Sequence, residues 1–228
     1  MLKALDLFCC AGGASEGLER AGFDVTGVDI KPRRNYPYRL IEADAVTLDI
    51  DLHQFDFIWA SPPCQRYSVS TKARADYDPE NYPDLIDPIR QKLAGHPFTC
   101  IENVPAAPLR PDLVLTGPSV GLTRIERRRI FELSFFCLQP GAPRLPRSMW
   151  RNGEAITITT SLSAKSHFYP RKRAGKPGRV PPAEAAEAMG IFRPMTGHEI
   201  GEAIPPAYAE FIAREAIRQG CGSAGRAA

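Results

Sequence analysis

Along the first half of the chain, short apolar runs alternate with stretches whose apolar residues recur at helical spacing. Leu2 to Phe8 predicts a strand that ends in the small residues Cys9 to Ala14, and Ser15, Glu16, Leu18 and Glu19 then suit an amphipathic helix. Further strands are predicted at Val25 to Ile30, Tyr38 to Ala43, Phe55 to Ala60 and Phe98 to Ile101, with Leu85, Ile86, Ile89 and Leu93 marking a helix between the last two. Acids recur at strand ends, Asp29 and Asp44 among them. The expected fold is α/β: a doubly wound, mostly parallel, Rossmann-like sheet that binds ligands at the C-terminal ends of its strands.

The pattern breaks after Phe136. Residues 138–180 hold five prolines and little periodicity beyond a β-like stretch from Ala155 to Thr160, and they read as a small irregular appendage. Helical spacing returns at Ala183 to Met189 and at Ala207 to Ile217, and the tail from Gly220 reads as disordered. The 228 residues, 43% hydrophobic and 24% charged, suffice for one compact core plus that appendage and exclude a disordered, collagenous or fibrous chain.

A net charge of +3 neither demands nor excludes a nucleic-acid partner, but its distribution is lopsided. Between Leu138 and Val180 nine basic residues face one acid, Glu154, and Trp150, His167, Phe168 and Tyr169 are interleaved, which suits phosphates and stacked bases. No apolar run approaches the ~20 residues of a membrane span, and Asp6 interrupts the N-terminal run, so a soluble, cytoplasmic protein with no membrane partner is expected. None of the six cysteines has the C-x-x-C spacing of a zinc or redox site, so neither a metal nor a disulfide framework is expected.

Four features at strand ends carry chemistry. Gly12-Gly13, between a strand and a helix, lets a ligand approach the backbone, and Asp29 can accept hydrogen bonds from ribose hydroxyls; taken alone, this turn is equally a plain connector. Asp44 adds an acid able to bind an exocyclic amine, or merely a solvated one. Cys64, in Ser61-Pro62-Pro63-Cys64-Gln65, sits on a loop that two prolines stiffen, a context suited to a nucleophile. Glu102-Asn103-Val104 lies beside that loop if the two strands are neighbours, where a glutamate can merely cap a following turn or can protonate a substrate ring while sulfur attacks. Three arginines in a row, Arg127-Arg128-Arg129, are commonly a solvated face, but alternate ones on a strand would point inward toward the same place.

Taken in order, Asp6-Leu7-Phe8-Cys9-Cys10-Ala11-Gly12-Gly13, Gly27-Val28-Asp29, the Cys64 and Glu102 motifs, Arg127 to Phe131 and Gly201-Glu202-Ala203-Ile204-Pro205-Pro206 resemble the ordered motifs of S-adenosylmethionine-dependent DNA cytosine-5 methyltransferases. The resemblance spans residues 4–136 and about 181–217. It implies a methyltransferase-type sheet, a catalytic domain of residues 1–136 and 181–219, a reduced target-recognition segment of 137–180 and a tail of 220–228. Carried over residue by residue, Phe8, Gly12 and Gly13 cradle the methionine end of S-adenosylmethionine, and Asp29, with Ile30 beside it, takes the ribose. Asp44 takes the adenine amine, while Pro63 and Ile204 line the cofactor. Cys64 is the nucleophile, Glu102 engages cytosine N3 and its exocyclic amine, and Arg127 and Arg129 stand beside the target base. Arg144, Arg147, Arg151, Lys165, Arg171, Lys172 and Arg173 are the expected nucleic-acid contacts.

The implied activity is methyl transfer to C5 of a cytosine flipped out of duplex DNA, as in restriction-modification systems. The same chemistry on RNA or single strands, or a catalytically silent nucleic-acid-binding homologue, are the alternatives. Three positions depart from the family's pattern: Cys10 replaces a glycine and calls for a negative φ, Ile125 replaces a glutamine, and Glu202 replaces an asparagine.

Overall fold

In the computed structural model, residues 1–158 and 180–223 are described. Seven strands form one sheet in the order β3-β2-β1-β4-β5-β7-β6. The central strand β1 (Leu2–Leu7) pairs in parallel with β2 (Phe23–Asp29) on one side and β4 (Phe57–Ala60) on the other. β3 (Arg39–Glu42) and β5 (Thr99–Asn103) extend the parallel part. β7 (Arg129–Leu133) then runs antiparallel between β5 and β6 (Leu113–Leu115). The order of connection reverses between β1 and β4, so a crevice opens there at the C-terminal strand ends.

Both faces of the sheet are covered, which is why its central strands read as nearly continuous apolar runs. On one face Ala4, Phe57, Trp59, Cys100 and Phe131 meet α1 (Gly13–Arg20) and α7 (Pro206–Arg218), through Leu18, Tyr208 and Ile212. On the other, Leu5, Leu7, Ile58 and Ile101 meet Ile86 and Ile89 of α3 (Ile86–Lys92). Gly13 is fixed by packing: a Cβ there would stand 2.5 Å from the carbonyl oxygen of Ile204 and 2.9 Å from Cβ of Ala203. The segment leading into α7 can therefore lie directly on the start of α1.

A third apolar cluster joins Ile125, Ile156, Ile158 and Val180 to α5 (Pro182–Met189) and to Ile200 and Ala203, in and just after α6 (Gly197–Glu202). The expected β-like stretch at 155–160 is not a strand where it is described. Ile156 and Ile158 are buried with Thr157 exposed between them, but the described part bonds through Ala155 N–H to the carbonyl of Met149 (3.1 Å) and Ile156 N–H to the carbonyl of Arg124 (2.8 Å), and joins no sheet. Residues 159 and 160 lie outside the described residues. Inside the proline-rich segment a short helix, α4 (Arg147–Asn152), forms after Pro146 and stops at Gly153, whose φ is +74°. The tail is also ordered at first: Cys221 is buried and its Sγ donates to the carbonyl of Asp56 (3.1 Å).

Candidate active site

Strand register sets the site. Leu7 pairs with Val28 and Ala60, and Ala60 pairs with Ile101, so Phe8, Asp29, Ser61 and Glu102 follow as one row along the C-terminal edge. β4 and β5 are neighbours, and the Cys64 loop and Glu102 therefore share one end of the crevice.

The Cys64 loop is fastened at both ends. Ser61 N–H donates to the carbonyl of Leu7 (3.1 Å), and Trp59 Nε1–H donates to Ser61 Oγ (2.7 Å). Asn103 Nδ2 donates to the carbonyl of Pro62 (2.9 Å), tying the loop to β5. The Cys64 carbonyl accepts from the N–H groups of Tyr67 (3.0 Å) and Ser68 (2.9 Å), just before the short helix α2 (Val69–Lys72). Cys64 itself is half-buried, so its sulfur is held in place and still reachable. Burial pushes its thiol pKa up, Arg129 and Arg127 pull it down, and Glu102 pushes it up.

Glu102 is 3% exposed at the end of β5, and Arg129 Nε stands 2.9 Å from its Oε1. Burial pushes the Glu102 carboxyl above its ordinary range, against the charges of Arg129 and Arg127 and a hydrogen bond with Ser61. A carboxyl so placed is suited to hold a proton for a neutral ring nitrogen.

Arg127 is placed otherwise than alternation along a strand predicts. β7 starts only at Arg129, and Arg127 precedes it with φ +29°. Its guanidinium donates to the carbonyls of Ile158 (3.1 Å), Gly201 (2.8 Å) and Ala203 (2.7 Å), while Tyr208 Oη–H donates to the Arg127 carbonyl (3.0 Å). Burial and the neighbouring Arg129 push it down to about 9. Arg127 is thus a strut between the basic segment and the loop before α7, and Arg129 is the arginine that meets Glu102.

At the β1–β2 side the loop Phe8–Gly13 turns sharply, with φ values of +63° at Phe8, +48° at Cys10 and +90° at Gly12. Cys10 thus adopts the left-handed conformation, contrary to the negative φ expected for a side chain there; its N–H donates to Asp29 Oδ2 (3.0 Å), which holds the turn. Asp29 is 4% exposed and also accepts from Lys31 N–H (3.0 Å), with Arg33 Nε 3.0 Å from Oδ1. Ile30 is exposed, and Asp44 is exposed and accepts from Val46 N–H (2.8 Å). Pro63 is exposed, whereas the Ile204 side chain is buried in the first core cluster.

Sequence reasoning missed a polar cluster beneath this loop. Asp6, 1% exposed, accepts from Ser15 Oγ, which is hydrogen-bonded to Tyr36 Oη at 2.9 Å; Tyr36 passes so close to Gly27 that no side chain fits there. Burial pushes Asp6 up to about 7, with Ser15 pulling it down. The native chain therefore keeps a proton that the unfolded chain releases near pH 4. Stability from this group is complete below that pH and is lost as pH rises through about 7. Asp6→Asn should remove the dependence: in urea titrations, wild type is expected to lose about 2–3 kcal/mol relative to the variant between pH 5 and pH 8.

Of the expected nucleic-acid contacts, Arg144, Arg147 and Arg151 are exposed, the last two one turn apart on α4. Arg144 Nε stands 3.8 Å from Glu126. Lys165, Arg171, Lys172 and Arg173 lie outside the described residues. Ile125, where the family's pattern has glutamine, is 1% exposed and serves the third apolar cluster. Among the described residues, no group of His, Cys, Asp or Glu could hold a metal ion, and no helix is long and apolar enough to cross a membrane.

The doubly wound sheet with its antiparallel seventh strand is an α/β fold that solved methyltransferases share. Solved structures agree. A mutant DNMT2 from Spodoptera frugiperda superposes with a TM-score of 0.59 over 95% of this chain and 100% of its own, at 16% identity. EhMeth from Entamoeba histolytica gives 0.60 over 96% of this chain and 98% of its own, at 12% identity. Residues 2–107 match the model of the C-5 cytosine-specific DNA methylase family. Among curated relatives, the Type II methyltransferase M1.HphI of Haemophilus parahaemolyticus is 32% identical over 122 residues, covering 45% of this chain and 32% of the relative. The Type II methyltransferase M.AgeI of Thalassovita gelatinovora is 29% identical over 92 residues, covering 33% and 21%. The matched part is thus about a third of the length of the first and a fifth of the second.

Proposed function

We propose that the protein transfers a methyl group from S-adenosylmethionine to C5 of a cytosine flipped out of duplex DNA. The observation that carries this reading is the half-buried Cys64 on a fastened loop, level with the buried Glu102–Arg129 pair on the adjacent strand. C5 of cytosine is a weak nucleophile. Addition of the Cys64 thiolate at C6, with Glu102 protonating or hydrogen-bonding N3, turns the ring into an enamine whose C5 is electron-rich. Bound S-adenosylmethionine supplies the electrophilic methyl group. Loss of the C5 proton then expels Cys64 and restores the aromatic ring. Arg129, paired with Glu102, fixes the carboxyl's direction and favours the thiolate by its charge.

The crevice fits that cofactor. The Phe8–Gly13 loop turns tightly at the β1 end, and Asp29 stands at the end of the next strand. Asp6 Oδ1 and Glu202 Oε2 are buried there without hydrogen-bond partners, polar capacity that a polar ligand satisfies. Asp29, Asp44, Phe8, Gly12, Gly13, Ile30 and Pro63 are assigned to the cofactor on the motif correspondence. The buried side chain of Ile204 limits its part to the backbone beside Gly13. Residues 1–136 and 181–219 form the catalytic domain in this reading, and 137–180 recognise the target.

The basic segment supports a nucleic-acid substrate through charge. Alanine at both Arg147 and Arg151 should weaken binding uniformly across sequences and reduce the slope of log affinity against log salt by about 1–2. The proposal as a whole is tested by supplying methyl-labelled cofactor with duplex DNA, single-stranded DNA and transfer RNA side by side. Label in 5-methylcytosine of the duplex is expected; label only in RNA or single strands would move the substrate, and none in any would favour a silent homologue.

A further inference from the structure

Two of the three departures from the family's pattern, Cys10 and Glu202, meet at a single side chain. Arg33, in the connection between β2 and β3, places Nε 3.0 Å from Asp29 Oδ1, Nη2 3.7 Å from Cys10 Sγ and Nη1 3.9 Å from Glu202 Oε2. The connection is strapped across the loop toward α6: Asn35 Nδ2 donates to both carboxylate oxygens of Glu199 (3.1 and 2.9 Å), and Gly12 lies against the Tyr36 ring. Glu202 stands just before the Ala203–Ile204 backbone that covers Gly13, with His198 Nε2 3.4 Å from its other oxygen.

Opposite charges 3.9 Å apart attract without hydrogen bonding: Glu202 Oε2 is buried and lacks a hydrogen-bond partner, and Arg33, whose Nε is taken by Asp29, has no hydrogen bond from its guanidinium to Glu202. An ammonium can use the carboxylate and a carboxylate can use the guanidinium, each as a charge-assisted bond. A neutral amide at position 202 would serve either end of an amino acid; a glutamate serves the ammonium and repels the carboxylate, so a nearby cation is required to hold the latter. We infer that Arg33 and Glu202 form a charge clamp for the zwitterionic amino-acid end of the cofactor, Glu202 holding the α-ammonium and Arg33 the α-carboxylate. The clamp rests on the S-adenosylmethionine reading above. When Arg33 turns to the carboxylate it releases Asp29 Oδ1, so filling the amino-acid end frees the acid assigned to the ribose.

Calorimetric titration of the full chain with three ligands tests the clamp. S-adenosylhomocysteine carries both charges, decarboxylated S-adenosylmethionine lacks the carboxylate, and 5′-methylthioadenosine lacks both. Arg33→Gln should weaken S-adenosylhomocysteine about tenfold or more and leave decarboxylated S-adenosylmethionine within about threefold, whereas Glu202→Gln should weaken both about tenfold. Neither variant should lower affinity for 5′-methylthioadenosine, and Arg33→Gln should raise it if anything, since Asp29 is freed. Unchanged S-adenosylhomocysteine affinity, or parallel loss of all three ligands, would overturn the clamp. Failure of the wild-type chain to bind any of the three would instead overturn the cofactor reading itself.

Discussion

Serine in place of Cys64 is expected to abolish transfer to cytosine C5, by on the order of 10⁴-fold or more, while the fold and cofactor binding persist. In the proposed mechanism the step removed is the covalent one. A serine hydroxyl is far less acidic than a thiol, so it offers no useful anion at neutral pH, and its oxygen is a poorer nucleophile toward C6. The loop should survive the change, because the contacts that hold it run through Ser61, Pro62, Asn103 and the Cys64 backbone and not through sulfur. Single-turnover methylation assays with wild type and variant, alongside cofactor titration of both, separate lost chemistry from lost fold. Residual transfer within about tenfold of wild type would mean that sulfur does not attack.

Glutamine in place of Glu102 should lower the rate of transfer by about 10²–10⁴-fold, the range for loss of a positioned proton donor. Its effect differs from that of Cys64→Ser because Glu102 also holds Arg129. With the carboxylate gone, a guanidinium whose side chain is 14% exposed loses its ionic partner, and a further drop of about 1–3 kcal/mol in stability is expected. The kinetic signature is therefore a fall in the chemical step with affinity for cofactor unchanged, plus a lower denaturation midpoint. A variant that melts earlier but methylates at the wild-type rate would confine Glu102 to a structural role.

Much of this site was legible in the sequence because it depends on short-range order. A strand running into Ser61-Pro62-Pro63-Cys64, and the next into Glu102-Asn103, place both side chains at one sheet edge once the strands are parallel neighbours, as β4 and β5 are. The same logic failed for Arg127. Alternation along a strand presumed that the strand had begun, and the positive φ at Arg127 delays it by two residues, turning that side chain onto the carbonyls of Ile158, Gly201 and Ala203. Cys10 failed for a related reason. Its left-handed backbone is imposed by the tight turn and held by Asp29 from the next strand, which local preference does not anticipate.

Long-range partnerships were not legible. Arg33 with Glu202, and Tyr36 with Asp6 through Ser15, join segments that meet only after the sheet has formed. By contrast α6 carried a readable signal that periodicity alone passed over: Thr196 and Glu199 stand three apart as a capping box. Thr196 N–H donates to Glu199 Oε2 (2.7 Å), and Glu199 N–H donates to Thr196 Oγ1 (3.3 Å). α4 and the three-residue β6 were too short for any period to declare itself.

Covalent catalysis through Cys64 is tested most directly by duplex DNA of random sequence containing 5-fluorocytosine, incubated with the protein and S-adenosylmethionine. Fluorine at C5 leaves no proton to lose after methyl transfer, so the sulfur–C6 bond cannot be expelled and the complex is trapped. Mass spectrometry is predicted to find protein joined to methylated 5-fluorocytosine through the peptide that contains Cys64, and no adduct with Cys64→Ser. Methylation of ordinary cytosine in the same DNA with no trapped adduct, or an adduct at any other residue, would contradict it.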